Sequence, residues 1–193
     1  MQFRVLGVVD AVSADQPVNL GHARLRCVLA VLLVEANRFV SVDQLMERVW
    51  GDCPPQRGRG VLYSYLSRLR TALSTEHEVT IERRSRGYML TVDEASVDLH
   101  RFRSLITDAR LANEDARALA LFDQALLLWR GTPFADLDTH WLASVRAALE
   151  IERGLPNSTA PTLPFGAGST PNSSLTSALE RHSNHSTSAS PAN

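Results

Sequence analysis

Pro55-Gln-Arg-Gly-Arg-Gly-Val-Leu-Tyr-Ser-Tyr-Leu-Ser-Arg-Leu-Arg-Thr-Ala-Leu73 is the stretch on which the reading of this chain turns. Val61, Leu62, Tyr65, Leu66, Leu69 and Leu73 recur at helical spacing and make one apolar stripe. At about 100° per residue the opposite face carries Arg57, Gly60, Ser64, Ser67 and Thr71, flanked by Gln56, Tyr63 and Arg68. No acidic residue falls there, and arginines crowd the N-terminal end. Taken alone, such a helix reads as a solvated amphipathic one. Its neighbours decide otherwise.

Immediately upstream, Ser41-Val-Asp-Gln44 is a capping box, in which hydroxyl and amide side chains satisfy each other's orphan backbone N–H groups. Val40 before it and Leu45 after it fit a hydrophobic staple, and Leu45, Met46, Val49 and Trp50 form a short buried face. Gly51-Asp-Cys-Pro-Pro55 ends that helix, and Pro55 suits the first turn of the next. Two helices across a five-residue turn predict a helix-turn-helix, whose second helix meets base edges with its N-terminal end.

Downstream, Val79-Thr-Ile81, Arg83-Arg-Ser-Arg-Gly87 and Tyr88-Met-Leu-Thr-Val92 predict a β-hairpin. Tyr88, Leu90 and Val92 alternate inward, Gly87 supplies the turn, and Arg83, Arg84 and Arg86 crowd the tip. Three cations at one tip repel unless an anion is near, so the hairpin reads as a wing for phosphates or a minor groove. Further upstream, Phe3-Arg-Val-Leu-Gly-Val-Val9, Ala11-Val12 and Val18-Asn-Leu20 predict short strands broken by Gly7, Asp15 and Pro17. Leu25, Val28, Leu29, Leu32, Leu33 and Ala36 then form the single stripe of a helix that Asn37 ends.

Composition narrows the classes. The 193 residues are 44% hydrophobic with a net charge of −1, enough for one good domain or two small ones. All 20 basic residues are arginine, which excludes the lysine of a Walker A loop and of Schiff-base chemistry. Cys27, before an apolar run, and Cys53, in a turn, read as reduced thiols, with neither metal nor disulfide required. No charged stretch followed by a long apolar run opens the chain, and the run over 28–34 is too short to span a bilayer. The expectation is a cytoplasmic protein with no membrane contact.

Beyond the wing, residues 97–153 read as purely helical. Leu99, Phe102, Ile106 and Ala109 line one face, Leu119, Phe122, Leu126 and Trp129 another, and Trp141, Leu142, Val145 and Leu149 begin a third helix. From Gly154 the composition becomes Ser, Thr, Pro and Asn, which predicts a disordered tail. His182 and His185 there share a helix face but are too few for a metal site. Gly58-Arg-Gly60 lacks the third glycine of a dinucleotide loop, no G-x-S-x-G or H-E-x-x-H occurs, and His22, His77, His100 and His140 show no triad spacing. We therefore expect no enzyme, no catalytic residue, no metal and no cofactor, and read His100 as a surface residue.

Several of these motifs, in this order, resemble the Streptomyces antibiotic regulatory proteins. They are Leu6-Gly7, Leu-Ala-Val-Leu-Leu-Val-Glu-Ala-Asn over 29–37, Val40-Ser-Val-Asp43, Leu45, Trp50-Gly-Asp52, Pro54-Pro55, Ser64-Tyr-Leu-Ser-Arg-Leu-Arg70 and Gly87-Tyr88. The resemblance implies an OmpR-type winged helix over residues 1–96: opening antiparallel strands, three helices and a C-terminal hairpin wing. Asp98-Leu-His-Arg-Phe102, Ala118-Leu-Ala-Leu-Phe122, Ala125-Leu-Leu-Leu-Trp-Arg-Gly131, Pro133-Phe-Ala-Asp136 and Trp141 resemble the opening of the family's bacterial transcriptional activation domain, a tetratricopeptide-like region, here over 97–153. No phospho-receiver fits before Met1, and the activation region breaks off at Gly154, as truncation or a frame shift would produce. Residues around Phe122, Trp129 and Trp141 are then expected to lack part of their cover.

The sequence thus predicts an α+β winged helix followed by a partial all-α region and a tail over 154–193. Its expected function is regulation of a pathway-specific gene cluster by binding direct-repeat promoter sites on double-stranded DNA. RNA polymerase holoenzyme and a second copy of the chain on DNA are the expected partners. An activation-deficient DNA-binding fragment and a helical protein-interaction module stand as alternatives. The expected DNA-binding residues are Gln56, Arg57, Arg59, Gly60, Tyr63, Ser64, Ser67, Arg68, Arg83, Arg84 and Arg86. Among them Arg57 and Arg68 are assigned to bases, Arg59 to the backbone, and the wing arginines to backbone or minor groove.

Overall fold

The computed structural model describes residues 1–74 and 78–154, and the expected tail with His182 and His185 lies outside them, as does His77. Chain order is β1 (Gln2–Arg4), β2 (Asp10–Ser13), β3 (Gln16–Pro17), α1 (Ala23–Val34), β4 (Phe39–Ser41), α2 (Val42–Trp50), α3 (Gly58–Leu73), β5 (Thr80–Arg84) and β6 (Gly87–Thr91). A single 3-10 turn (Glu94–Ser96) then leads into α4 (Asp98–Leu111), α5 (Asp115–Leu126) and α6 (His140–Gly154). Two three-stranded antiparallel sheets form, ordered β1-β2-β3 and β4-β6-β5. This is the winged helix with a helical region that the sequence predicts.

The capping box forms as read: Gln44 N–H donates to Ser41 Oγ at 3.1 Å, and Ser41 N–H to Gln44 Oε1 at 2.9 Å. Val40 and Leu45 are both buried beside it. Tyr88, Leu90 and Val92 point inward along β6 and its end. Asn37 does more than stop α1. It sits at φ +60°, a conformation its short polar side chain tolerates, and its amide exchanges two hydrogen bonds with the Val92 backbone, like an added strand residue.

Five local expectations change. The third helix starts at Gly58 rather than near Pro55, after a seven-residue connection over 51–57. Gly58, the first helical residue, is buried, and the terminal methyl of Met46 stands where a Cβ would lie. Gly87 lies in β6, and the hairpin turn is Ser85–Arg86; glycine is needed because the Val40 carbonyl and the Phe39 ring of β4 leave no room for a Cβ. Helix α1 is buried on all sides from Cys27 to Leu33, Ala30 and Val31 included, not along one stripe. In α5 the expected stripe fails: Leu119 and Leu126 are exposed, Ala125 is the buried residue, and Trp129 lies past the helix end. The strand expected over 3–9 is paired only at its start, the strand expected at 18–20 is absent, and Pro17 belongs to β3 rather than breaking it.

That opening segment shows how the helical region docks. Val5, Leu6 and Val9 are buried, and their polar backbone atoms are satisfied by residues more than ninety positions away. Val5 N–H donates to both oxygens of Asp98 at 2.8 and 2.9 Å, and Leu6 N–H to Oδ2 at 3.0 Å. Val5, Leu6 and Gly7 carbonyls accept from the backbone N–H groups of Phe134, Arg130 and Ala135. Phe134 is held at φ +53° with its side chain fully buried. Asp136 accepts from Val9 N–H and from Arg26 of α1, and His100 Nε2 lies 2.8 Å from the Leu33 carbonyl. His100 is therefore half-buried in a contact to α1, not a free surface residue.

The apolar cover of the helical region also differs from expectation. Trp129 packs edge-on against Phe102 and beneath the Arg153 guanidinium, while Arg48 of α2 lies 4.6 Å over Trp141. Phe122, Trp129 and Trp141 are half-buried against the core, and the barest positions are Leu127, Leu111, Ile151 and Leu119, at 81%, 73%, 66% and 58% exposure. Among the described residues no helix is long and apolar enough to cross a membrane.

Candidate nucleic-acid interface

All eleven residues expected to meet DNA are exposed. Helix α3 owes its position to Leu62, Leu66, Leu69 and Leu73, which are buried in the core, with Val61 and Tyr65 half-buried at the margins. Anchoring that stripe turns Gly60, Tyr63, Ser64, Ser67 and Arg68 outward along α3. Gln56 and Arg57 join them from the turn just before the helix, Arg57 being its N-cap, so they approach from the connection rather than from a helical face. A Cβ at Gly60 would meet nothing within 4 Å. The surface there is open to a close approach by another molecule.

The wing is held to α3 by a residue that periodicity did not single out. Arg70 donates from Nε to the Ile81 carbonyl at 2.7 Å and lies 5.4 Å over the Tyr88 ring. Tyr63 faces Tyr88 from the same helix at 6.4 Å. Arg70 sits in the quoted arginine run; only its strand partner, eleven residues on, reveals it as the wing's anchor.

Between the starts of α2 and α3 and the wing tip lies a groove of about 390 Å³, into which Asp43, Arg59, Tyr63, Arg83, Ser85 and Arg86 project. It brings together arginines that the sequence assigns separately to helix and wing. Their partners divide them. Arg84 pairs with Glu82 at 2.6 Å and Arg59 with Asp43 at 2.7 Å. Arg57, Arg68, Arg83 and Arg86 form no side-chain hydrogen bond or ion pair among the described residues. Four exposed guanidiniums left unpaired beside an acid-free helix face give this side an extended positive surface. Elsewhere, burial pushes the Cys27 thiol up, which suits a core thiol and not a nucleophile. No three metal-ligating side chains group among the described residues.

Comparison with known proteins gives a consistent result. Residues 15–90 match the family model described as transcriptional regulatory protein, C terminal, and residues 97–155 match the bacterial transcriptional activator domain. The chain is 28% identical over 153 residues to the regulatory protein AfsR of Streptomyces griseus, covering 78% of this chain and 15% of that one. It is 30% identical over 164 residues to the regulatory protein DnrI of Streptomyces peucetius, covering 79% and 59%. Among solved structures, EmbR of Mycobacterium tuberculosis, in complex with a low-affinity phosphopeptide, superposes with a TM-score of 0.76 at 30% identity, over 80% of this chain and 43% of that one. The chain thus spans between about a seventh and three fifths of the length of these relatives.

Proposed function

The chain belongs to the Streptomyces antibiotic regulatory protein family of transcriptional regulators, and on that premise we propose that it binds promoter DNA sequence-specifically through α3 and its wing. The observation that carries this reading is the set of unpaired arginines, Arg57, Arg68, Arg83 and Arg86, spread from the start of α3 to the wing beside a helix face without acids. Helix α3 enters the major groove, Arg57 and Arg68 reach base edges on either side of Ser64, and the wing arginines lie on the backbone or in the adjoining minor groove. Two copies bind head to tail on direct repeats spaced by about one helical turn, roughly 10–10.5 bp, so both meet one side of the duplex. The setting is the cytoplasm, the downstream partner is RNA polymerase holoenzyme, and the targets are genes of a pathway-specific cluster. Residues 1–96 supply the DNA-binding part and 97–153 the helical part.

Footprinting on promoter fragments tests the repeat geometry: paired protected direct repeats are expected, and protected inverted repeats contradict it. Single substitutions test the division of labour. Arg57→Ala should cost about 1–3 kcal/mol on the preferred site and relax preference at one base pair. Arg86→Ala should weaken preferred and mixed sequences alike and flatten the salt dependence by about one phosphate contact. Equal losses on both kinds of DNA for Arg57→Ala would remove it from base reading.

A further inference from the structure

We propose that Asp43 sets the affinity of the groove between α3 and the wing by competing with a DNA phosphate for Arg59. The proposal rests on the DNA-binding reading above and assigns a regulator of affinity within that surface. Asp43 is the sole acid among the described residues lining the groove, where it faces Arg59, Arg83 and Arg86. Its Oδ1 lies 2.7 Å from the Arg59 guanidinium, with the two side chains 80% and 64% exposed.

An acid that buttresses an arginine for DNA sits behind it and is itself enclosed. This chain has enclosed pairs of that kind: Arg26 with Asp136 and Arg48 with Glu35, all four side chains no more than 25% exposed. Asp43 instead stands in the open mouth, on the approach of an incoming anion. An exposed pair contributes little and is readily exchanged, whereas a guanidinium–phosphate contact is strong and directional. Every phosphate entering the groove must displace the carboxylate from Arg59 and tolerate its charge nearby. Asp43 is not needed to start α2, because Ser41 and Gln44 already complete the cap, although its charge favours the positive end of the helix. Its removal therefore leaves the fold in place.

The test measures binding of the full chain to a short mixed-sequence duplex across a salt series, by fluorescence anisotropy, with thermal melting as the check on folding. Asp43→Asn should tighten binding about three- to tenfold at low salt, with the gain shrinking as salt rises. In an Arg59→Ala background the same substitution should give a clearly smaller gain. Unchanged or weaker binding by Asp43→Asn overturns the proposal, and so does an equal gain without Arg59, since Asp43 would then act by plain repulsion. If neither the unsubstituted chain nor the variant binds the duplex, the DNA-binding reading itself fails, and that outcome is distinct from the others.

Discussion

Asp98→Ala is expected to destabilise the folded chain by about 2–5 kcal/mol, because it strips two buried amides of their acceptor among the described residues, while Arg130 keeps its closer pairing with Asp10 at 2.9 Å. Val5 and Leu6 N–H point at this carboxylate from a segment with no strand partner there, and Arg130 lies 3.8 Å from it. Burial pushes the Asp98 carboxyl above its ordinary value, while the Val5 and Leu6 amides, then Arg130, pull it back. Asp98→Asn keeps one acceptor oxygen and removes the buried charge, so its loss should be less than half as large. Urea unfolding separates the two: the midpoint should fall for both, far more for alanine, with the slope unchanged. A loss under about 1 kcal/mol for alanine would mean that the opening segment finds other acceptors. The same geometry bears on isolated residues 1–96, which would leave the Val5, Leu6 and Val9 amides without Asp98 and Asp136.

Gly87→Ala is the second large effect. The added carbon would fall inside the contact radius of the Val40 carbonyl oxygen and lie 2.7 Å from the Phe39 ring. A backbone oxygen in a paired strand cannot swing aside as a flexible side chain does, so β4 must separate from β6. Overpacking of this kind costs about 1–3 kcal/mol and occasionally more, and the upper end applies where backbone is the obstacle. The strain falls where the wing meets α2: Val42 N–H donates to the Arg86 carbonyl at 3.0 Å, tying the wing tip to the start of that helix. DNA affinity should therefore drop beyond what the fraction unfolded accounts for. Thermal melting and duplex titration of one preparation would show both losses; a melting temperature within error of the parent would refute the steric account.

These two sites mark what local pattern conveys. The cap at Ser41, the apolar stripe of α3 and the inward alternation of Tyr88, Leu90 and Val92 are all legible, because each is fixed within one or two turns of chain. The exposure of Arg59, Gly60, Tyr63, Ser64, Ser67 and Arg68 follows from the same stripe. Asp98 reads locally as an acid at a helix start, which favours the dipole; its bonds to Val5 and Leu6 are invisible because they join residues 93 and 92 positions apart. The all-round burial of α1 is hidden for a related reason. Periodicity shows the face turned to one layer, and α1 also meets the helical region through His100 and Asp136. The pairing of Arg59 with Asp43 escapes because α3 taken alone has no acid; the acid comes from α2. Gly87 is legible as a special position, but what it makes room for is β4, not a turn.

The most direct test of the DNA-binding surface is the salt dependence of duplex affinity for the full chain and for a variant carrying Arg57→Ala, Arg68→Ala, Arg83→Ala and Arg86→Ala together. All four side chains are exposed and unpaired among the described residues, so the fold should melt as the parent does. The parent should bind duplex with affinity falling steeply as salt rises, and the variant should lose at least about a hundredfold at low salt, with a log–log slope shallower by about two, one for each wing arginine on a phosphate. A folded variant that binds as tightly as the parent, with the same slope, would contradict the account.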